Sequence, residues 1–316
     1  MFIDKLIESI KEKNNHSVIG IDPKIEYVPI SLKKKAFNEN GKNLTGAAQA
    51  ILTFNKRIID AVYDVVPAVK PQLAYYELYG IEGIKVFAET VKYAKGKGLH
   101  VIADGKRNDI GSTAEAYSSA FLGKTSIEDA IYESAFDADA LTVSPYLGFD
   151  GIKPFVDDCN KYEKGMFVLV KTSNKTSGQL QDLLTVGDKS IYEIMAEYVN
   201  EWGKAVKGKY GYSSVGAVVG ATYPNQAKIL RQIMKNSYIL VPGYGAQGGT
   251  ARDVANSFNS DGLGAIVNAS RSIMCAYQSD LWKNTYNEDR FDEACRAEAI
   301  RMRDDINSAI KNSTTN

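Results

Sequence analysis

The segment Asp104-Gly105-Lys106-Arg107-Asn108-Asp109 follows directly on the apolar run Val101-Ile102-Ala103 and sets carboxylates and cations side by side. On an extended strand successive side chains alternate between faces. Asp104 and Lys106 therefore share a face, and Gly105 leaves room on the other. Asp109 lies beyond the strand, in the loop that follows. Such a cluster could be a solvated ion-pair patch. Buried, it survives only if the charges alternate in sign and satisfy one another. Carboxylates beside Lys106 favour its ammonium form. A charged lysine can donate a proton and stabilise developing negative charge. It is a poor Schiff-base nucleophile, a role that needs the neutral amine, and this speaks against a class I aldolase.

Two further apolar runs end in charge: Val18-Ile19-Gly20-Ile21-Asp22 and Val65-Val66-Pro67-Ala68-Val69-Lys70. Taken singly, Asp22 and Lys70 read as solvated strand ends. Beside Asp104 and Lys106 at one barrel mouth, they complete an alternating array.

A third kind of site lies towards the C-terminus. The run Tyr238–Pro242 continues into Gly243-Tyr244-Gly245-Ala246-Gln247-Gly248-Gly249, which contains G-x-G-x-x-G. The match to a dinucleotide fingerprint fails. The required acid is missing near the end of the next strand, where Asn268 stands, and too little chain follows to complete the sheet. A glycine-rich turn still offers backbone N–H groups to phosphate, and Arg271 after the last strand can add a bidentate fork.

The elements that must position these groups alternate along the chain. Short runs rich in Val and Ile, bounded by Gly, Pro or Asp, predict strands at Ser17–Asp22, Val65–Lys70, Leu99–Asp104, Ala138–Val143, Met166–Lys171, Val215–Gly220, Tyr238–Pro242 and Ala265–Asn268. Helical spacing relates Ile51, Phe54, Ile58 and Val62, and again Ile84, Phe87, Val91 and Ala94. A third helix opens with a Ser190–Glu193 capping box and presents Ile191, Ile194, Met195, Tyr198 and Trp202 as its core face. The expected fold is α/β: a single (β/α)8 barrel spanning residues 1–316, with an extra N-terminal helix and loop insertions at Pro23–Asn43 and Asn174–Asp188. The polar tail Lys311–Asn316 is expected to fray. Catalytic groups in such barrels sit at the C-terminal strand ends.

Composition narrows the function. With 38 basic and 38 acidic side chains, the chain lacks the basic excess of a general nucleic-acid binder. No apolar run is long enough to span a membrane, and the N-terminus lacks a signal-peptide core. The scattered Cys159, Cys275 and Cys295 suit a reducing, cytoplasmic setting. The only two histidines are His16 and His100, which leaves little material for a His-rich metal site or a Ser-His-Asp triad.

The ordered set of motifs resembles one family. Asp104-x-Lys106-x-x-Asp109-Ile110-x-x-Thr113 is similar to the D-x-K-x-x-D-I-x-x-T signature of the orotidine 5′-phosphate decarboxylases. Asp22 resembles their first-strand aspartate and Lys70 their second-strand lysine. Lys171-Thr172-Ser173-Asn174 resembles the fifth-strand serine segment, as in the longer bacterial branch. Pro242 to Gly249 and Ser270-Arg271 resemble the phosphate loops. The resemblance implies cofactor-free and metal-free conversion of orotidine 5′-phosphate to uridine 5′-phosphate and CO2, the last step of de novo pyrimidine nucleotide synthesis. It implies that Lys106 protonates C6, that Asp104 lies near the departing carboxylate, and that Lys70 and Asp109 complete the array. It also implies a homodimer with shared active sites, Asp109 and Thr113 reaching across. Asp22 and Thr113 would contact ribose, Ser173 the pyrimidine, and Gln247 and Arg271 the phosphate. Ser270 stands where many relatives have Gly and would act through its backbone N–H. Two alternatives stand beside this one. A metal-dependent sugar-phosphate decarboxylase of the same superfamily would need an acid where Lys70 stands. A non-catalytic nucleotide- or phosphate-binding barrel would not need so costly a charge cluster.

Overall fold

The computed structural model describes residues 1–245 and 248–314. Eight parallel strands close into a barrel in which each pairs with its neighbours in chain order. They are β1 (Ser17–Ile21), β2 (Ala68–Pro71), β3 (His100–Arg107), β6 (Ala140–Val143), β7 (Gly165–Lys171), β8 (Ser213–Val219), β9 (Ser237–Pro242) and β10 (Ala265–Ala269). All eight fall on expected runs. The strands are buried on both faces, as a barrel wrapped in helices requires, so they read as continuous apolar runs.

The barrel interior is organised by the two-residue period. Val18, Ala68, Ile102, Ala140, Phe167, Leu240 and Ile266 belong to one apolar cluster. Helix α1 (Phe2–Lys13) adds Phe2, Ile3, Leu6, Ile7 and Ile10 to it and plugs the lower end of the barrel. Gly165 makes room for this plug, since a Cβ there would lie 2.2 Å from the Phe2 ring. Two residues further along several of these strands stand Gly20, Lys70, Asp104, Thr142 and Asn268. The same alternation that buries the plug layer thus aims a polar layer at the open, C-terminal mouth.

A second, larger apolar cluster lies between the strands and the outer helices. It takes the expected faces of α3 (Leu44–Val62) and α5 (Gly80–Gly96), including Ile51, Phe54, Ile58 and Val62 on the first. On α9 (Ile191–Trp202) the capping box forms, but the buried face is Ala196, Val199 and Trp202. Tyr198 is 49% exposed and stacks on Trp202, so the expected core stripe is rotated about the helix axis. Large side chains at its edge outweighed small ones in the sequence pattern.

The insertions carry structure of their own. Residues 23–43 hold a 3-10 turn (Ile25–Tyr27) and helix α2 (Ile30–Asn40), which packs on α3. Residues 174–188 hold the short helix α8 (Gly178–Gln181). An antiparallel hairpin, β4 (Thr125–Glu128) and β5 (Ile131–Glu133), was not anticipated; it is exposed throughout and gives no half-buried alternation to read. The final helix, α13 (Phe291–Thr314), continues through Lys311–Thr314, where fraying was expected. No helix among the described residues is long and apolar enough to cross a membrane.

Candidate active site

A cavity of about 570 Å3 opens at the C-terminal mouth of the barrel. Asp22, Lys70, Asp104, Lys106, Ser173, Pro242, Ser270 and Arg271 all line it. These residues span the chain from the first strand to the last, and only barrel closure brings them together.

Asp104 is the hub. Its Oδ2 accepts from Lys70 Nζ at 2.6 Å and from Gln72 Nε2 at 2.9 Å. Its Oδ1 accepts from Lys106 Nζ at 2.6 Å and from the Thr142 hydroxyl at 2.9 Å. Asp104 is 7% exposed and Lys70 3%, so this pair is a buried one. Burial by itself pushes the Asp104 carboxyl up, but the Lys70 and Lys106 ammonium groups outweigh it and hold the group well below the usual carboxylate range. Burial likewise works against a charged Lys70, and the carboxylates of Asp104 and Asp22 overcome it, raising its pKa. Opposite charges in alternation, with Lys70 and Lys106 on either side of Asp104, are what keep the buried Lys70–Asp104 pair ionised.

Lys106 reaches this position through an irregular backbone. From Ala103 to Arg107, β3 advances four residues against two on β6, a bulge in the register. Lys106 itself lies in the left-handed region with φ 45°, rare for a residue with a side chain. Its backbone N–H donates to Thr142 Oγ1 at 3.0 Å, and its side chain is about half exposed to the cavity. Bulges of this kind re-aim side chains next to active sites. A plain alternating strand would also put Lys106 on the face of Asp104; the bulge and the left-handed Lys106 reach it by a different backbone path.

Asp22 lines the cavity with a buried Oδ1 that has no hydrogen-bond partner among the described residues. An unpaired buried carboxylate oxygen invites a donor such as a ligand hydroxyl. Asn268 is in the same state: buried, its amide donates to Ser270 Oγ at 3.3 Å while Oδ1 is unpartnered. Gly20 is required beside them, since a Cβ there would lie 1.9 Å from Ser270 Oγ.

The glycine-rich turn satisfies some of its own donors. Gly243, Gly245 and Gly248 all have positive φ. Yet the N–H groups of Gly245, Gly248 and Gly249 donate to the loop's own carbonyls at 2.9, 2.8 and 3.1 Å. Closure of the turn thus uses N–H groups that an open glycine-rich loop would offer to phosphate. Gly243, Tyr244, Ser270 and the exposed Arg271 remain at that end of the cavity. Gln247 lies outside the described residues.

Asp109 and Thr113 stand apart from this cavity. Asp109 Oδ1 accepts from the Ile110 N–H at 2.8 Å, and Thr113 is exposed on α6 (Gly111–Phe121). Ile110, Tyr146, Leu147 and Phe149 are exposed apolar side chains on the loops after β3 and β6. Sequence reasoning also missed Gln72, Thr142 and Asn268. Each had a signal: Gln72 follows Lys70 by two residues, Asn268 precedes Ser270 by two, and Thr142 is the polar residue in an apolar strand. A metal-dependent alternative needs an acid at the end of β2, where the Lys70 ammonium sits. Among the described residues no group of three or more His, Cys, Asp or Glu side chains is arranged to hold a metal ion.

Fold and site together define a (β/α)8-barrel enzyme with an alternating lysine–aspartate array at the C-terminal mouth. Residues 48–280 match the model of the orotidine 5′-phosphate decarboxylase / HUMPS family, and the chain belongs to that family. It is 47% identical to the orotidine 5′-phosphate decarboxylase of Caldicellulosiruptor saccharolyticus, over 98% of this chain and 99% of that one. The crystal structure of a protein from Streptomyces avermitilis, described as an orotidine 5′-phosphate decarboxylase, superposes with a TM-score of 0.76 at 29% identity, covering 98% and 96% of the two chains. The UMP synthase of Leishmania donovani superposes with a TM-score of 0.74 at 30% identity; there the match covers 98% of this chain but 56% of the longer one.

Proposed function

We propose that this protein decarboxylates orotidine 5′-phosphate to uridine 5′-phosphate and CO2, the closing step of pyrimidine nucleotide synthesis, in the cytoplasm and without a cofactor. The carrying observation is the Lys106 ammonium held 2.6 Å from Asp104 Oδ1, with Lys70 on the other carboxylate oxygen. The bond between C6 and the carboxylate breaks, its electron pair stays on C6, and CO2 leaves. Lys106 stabilises the developing charge and delivers its proton to C6. A preorganised ammonium does this without reorganisation at the moment of reaction. Asp104 lies beside the departing carboxylate and fixes both lysines.

The remaining roles follow the cavity wall. Asp22 accepts from ribose hydroxyls, Ser173 meets the pyrimidine, and Pro242, Ser270 and Arg271 surround the phosphate, a role the family resemblance extends to Gln247, which lies outside the described residues. Binding energy from the phosphate, far from C6, offsets the cost of desolvating the reacting end. Asp109 and Thr113 serve the site of a second subunit in a homodimer. The exposed Ile110, Tyr146, Leu147 and Phe149 are the kind of apolar surface that a subunit contact covers.

The test is direct. Purified protein is supplied with orotidine 5′-phosphate in the presence of a chelator, and uridine 5′-phosphate is followed. Turnover insensitive to the chelator is expected. No turnover sinks the proposal, and turnover abolished by the chelator transfers it to the metal-dependent alternative.

A further inference from the structure

Lys171 is a fully buried cation that the chemistry above does not use. Leu169, two residues earlier on β7, lines the cavity. Simple alternation would bring Lys171 inward as well. The register prevents it: Leu169 pairs with Val218 but Lys171 with Val219, so β7 carries one extra residue. This irregularity takes Lys171 off the cavity wall, where Thr172 and Ser173 stand instead. Its Nζ lies 4.4 Å from the centre of the Tyr223 ring and 5.6 Å from that of Tyr192.

A buried ammonium needs a counter-charge. Asp182 supplies it, with Oδ1 2.6 Å from Lys171 Nζ. The preceding residue grips the position just past the end of the strand. Gln181 Oε1 accepts from the Thr172 N–H at 3.0 Å, and Gln181 Nε2 donates to Thr172 Oγ1 at 2.8 Å. Residues 181 and 182 of the insertion thus hold residues 172 and 171 in parallel. Ser173 is confined from the β8 side too. The Thr222 hydroxyl donates to its carbonyl at 3.3 Å, and a Cβ on Gly220 would come within 2.7 Å of its Cα.

We infer that Gln181 and Asp182 are positioning residues for the base-binding end of the site. The Asp182–Lys171 ion pair and the Gln181–Thr172 clamp hold Ser173 at the cavity wall, and so set affinity for the pyrimidine half of the ligand and not for its phosphate half. The inference rests on the proposed function, in which Ser173 meets the pyrimidine. The insertion after the fifth barrel strand is on this account part of the site's specificity.

Two probes separate the halves: uridine 5′-phosphate and ribose 5-phosphate, each titrated calorimetrically into the full-length protein. Gln181→Ala is expected to weaken uridine 5′-phosphate binding about tenfold, the size of one or two lost hydrogen bonds, while ribose 5-phosphate binding stays within about twofold. In turnover the same variant raises KM with kcat nearly unchanged, as loss of uniform binding requires. Asp182→Asn should do the same more strongly, and Asp182→Glu should recover most of the loss. If Asp182→Asn fails to fold, Gln181→Ala, which strands no charge, decides the matter. Equal weakening of both ligands, or of neither, overturns the inference while the proposed function stands. A wild-type protein with no preference for uridine 5′-phosphate over ribose 5-phosphate overturns both.

Discussion

The Thr142 hydroxyl donates to Asp104 Oδ1 at 2.9 Å, and its oxygen accepts the Lys106 backbone N–H at 3.0 Å. One side chain on β6 therefore holds both the hub carboxylate and the left-handed residue that carries the proposed proton donor. Removing it with little change of shape isolates that role. Thr142→Val is expected to lower kcat/KM by about tenfold to a hundredfold, since a hydrogen bond to a charged group contributes about 1.5–3 kcal/mol. Steady-state kinetics beside a melting curve check this. Wild-type kcat/KM would show that Lys106 is placed without Thr142.

The buried Lys70–Asp104 pair should be insensitive to pH over a wide range. Asp104 has a depressed pKa, so its stabilising contribution is present above the ordinary aspartate value of about 3.9 and is lost as pH falls through its folded value. Lys70 has a raised pKa, so its contribution is full below about 10.4 and is lost as pH rises through its folded value. Between about pH 4 and pH 10 neither group changes charge. Asp104→Asn strands the Lys70 ammonium in a buried site, with an expected loss of about 3–5 kcal/mol at neutral pH. That variant should recover stability as pH rises towards 10 and Lys70 deprotonates. Urea unfolding of both proteins across this range is the measurement, and parallel pH curves would contradict the assignment.

The placement of Asp109 outside its own cavity leads to a complementation experiment. Lys106→Ala and Asp109→Ala should each be nearly inactive as pure proteins. Mixed and allowed to exchange subunits, they should recover activity, because a mixed dimer holds one site with both residues intact. Failure to recover, with mixed dimers demonstrated by mass, would put Asp109 in the site of its own chain or outside the chemistry altogether.

Far from the mouth, His16 gives the fold its own acid sensitivity. Burial pushes its pKa down to about 4, against a backbone hydrogen bond to Ala265 that acts the other way. Its ring meets Phe258 edge-on at 5.1 Å, and Nδ1 is buried without a partner among the described residues. The unfolded chain therefore binds the extra proton between about pH 6.5 and pH 4, and stability falls as pH drops through that window. His16→Gln should flatten this part of the stability curve and leave turnover at neutral pH unchanged. An unaltered slope would assign the effect to another group, with His100, also depressed by burial, the next to test.

The sequence by itself determined the eight barrel strands, the charged residues at their ends and the family. Val- and Ile-rich runs with charged ends are a local signal, because the two-residue period that buries one side chain aims its neighbour two positions on at the mouth. Asp22, Lys70, Asp104 and Lys106 were legible for that reason. The tertiary structure decided what depends on register and on contacts between distant segments. The bulges in β3 and β7 leave no local mark, because a register shift is defined only against the partner strand. They set Lys106 in a left-handed conformation and put Lys171 behind the wall, where it meets Asp182. Thr142 and Gln181 gained their parts only when the strands and insertion that carry them packed beside Asp104 and Thr172.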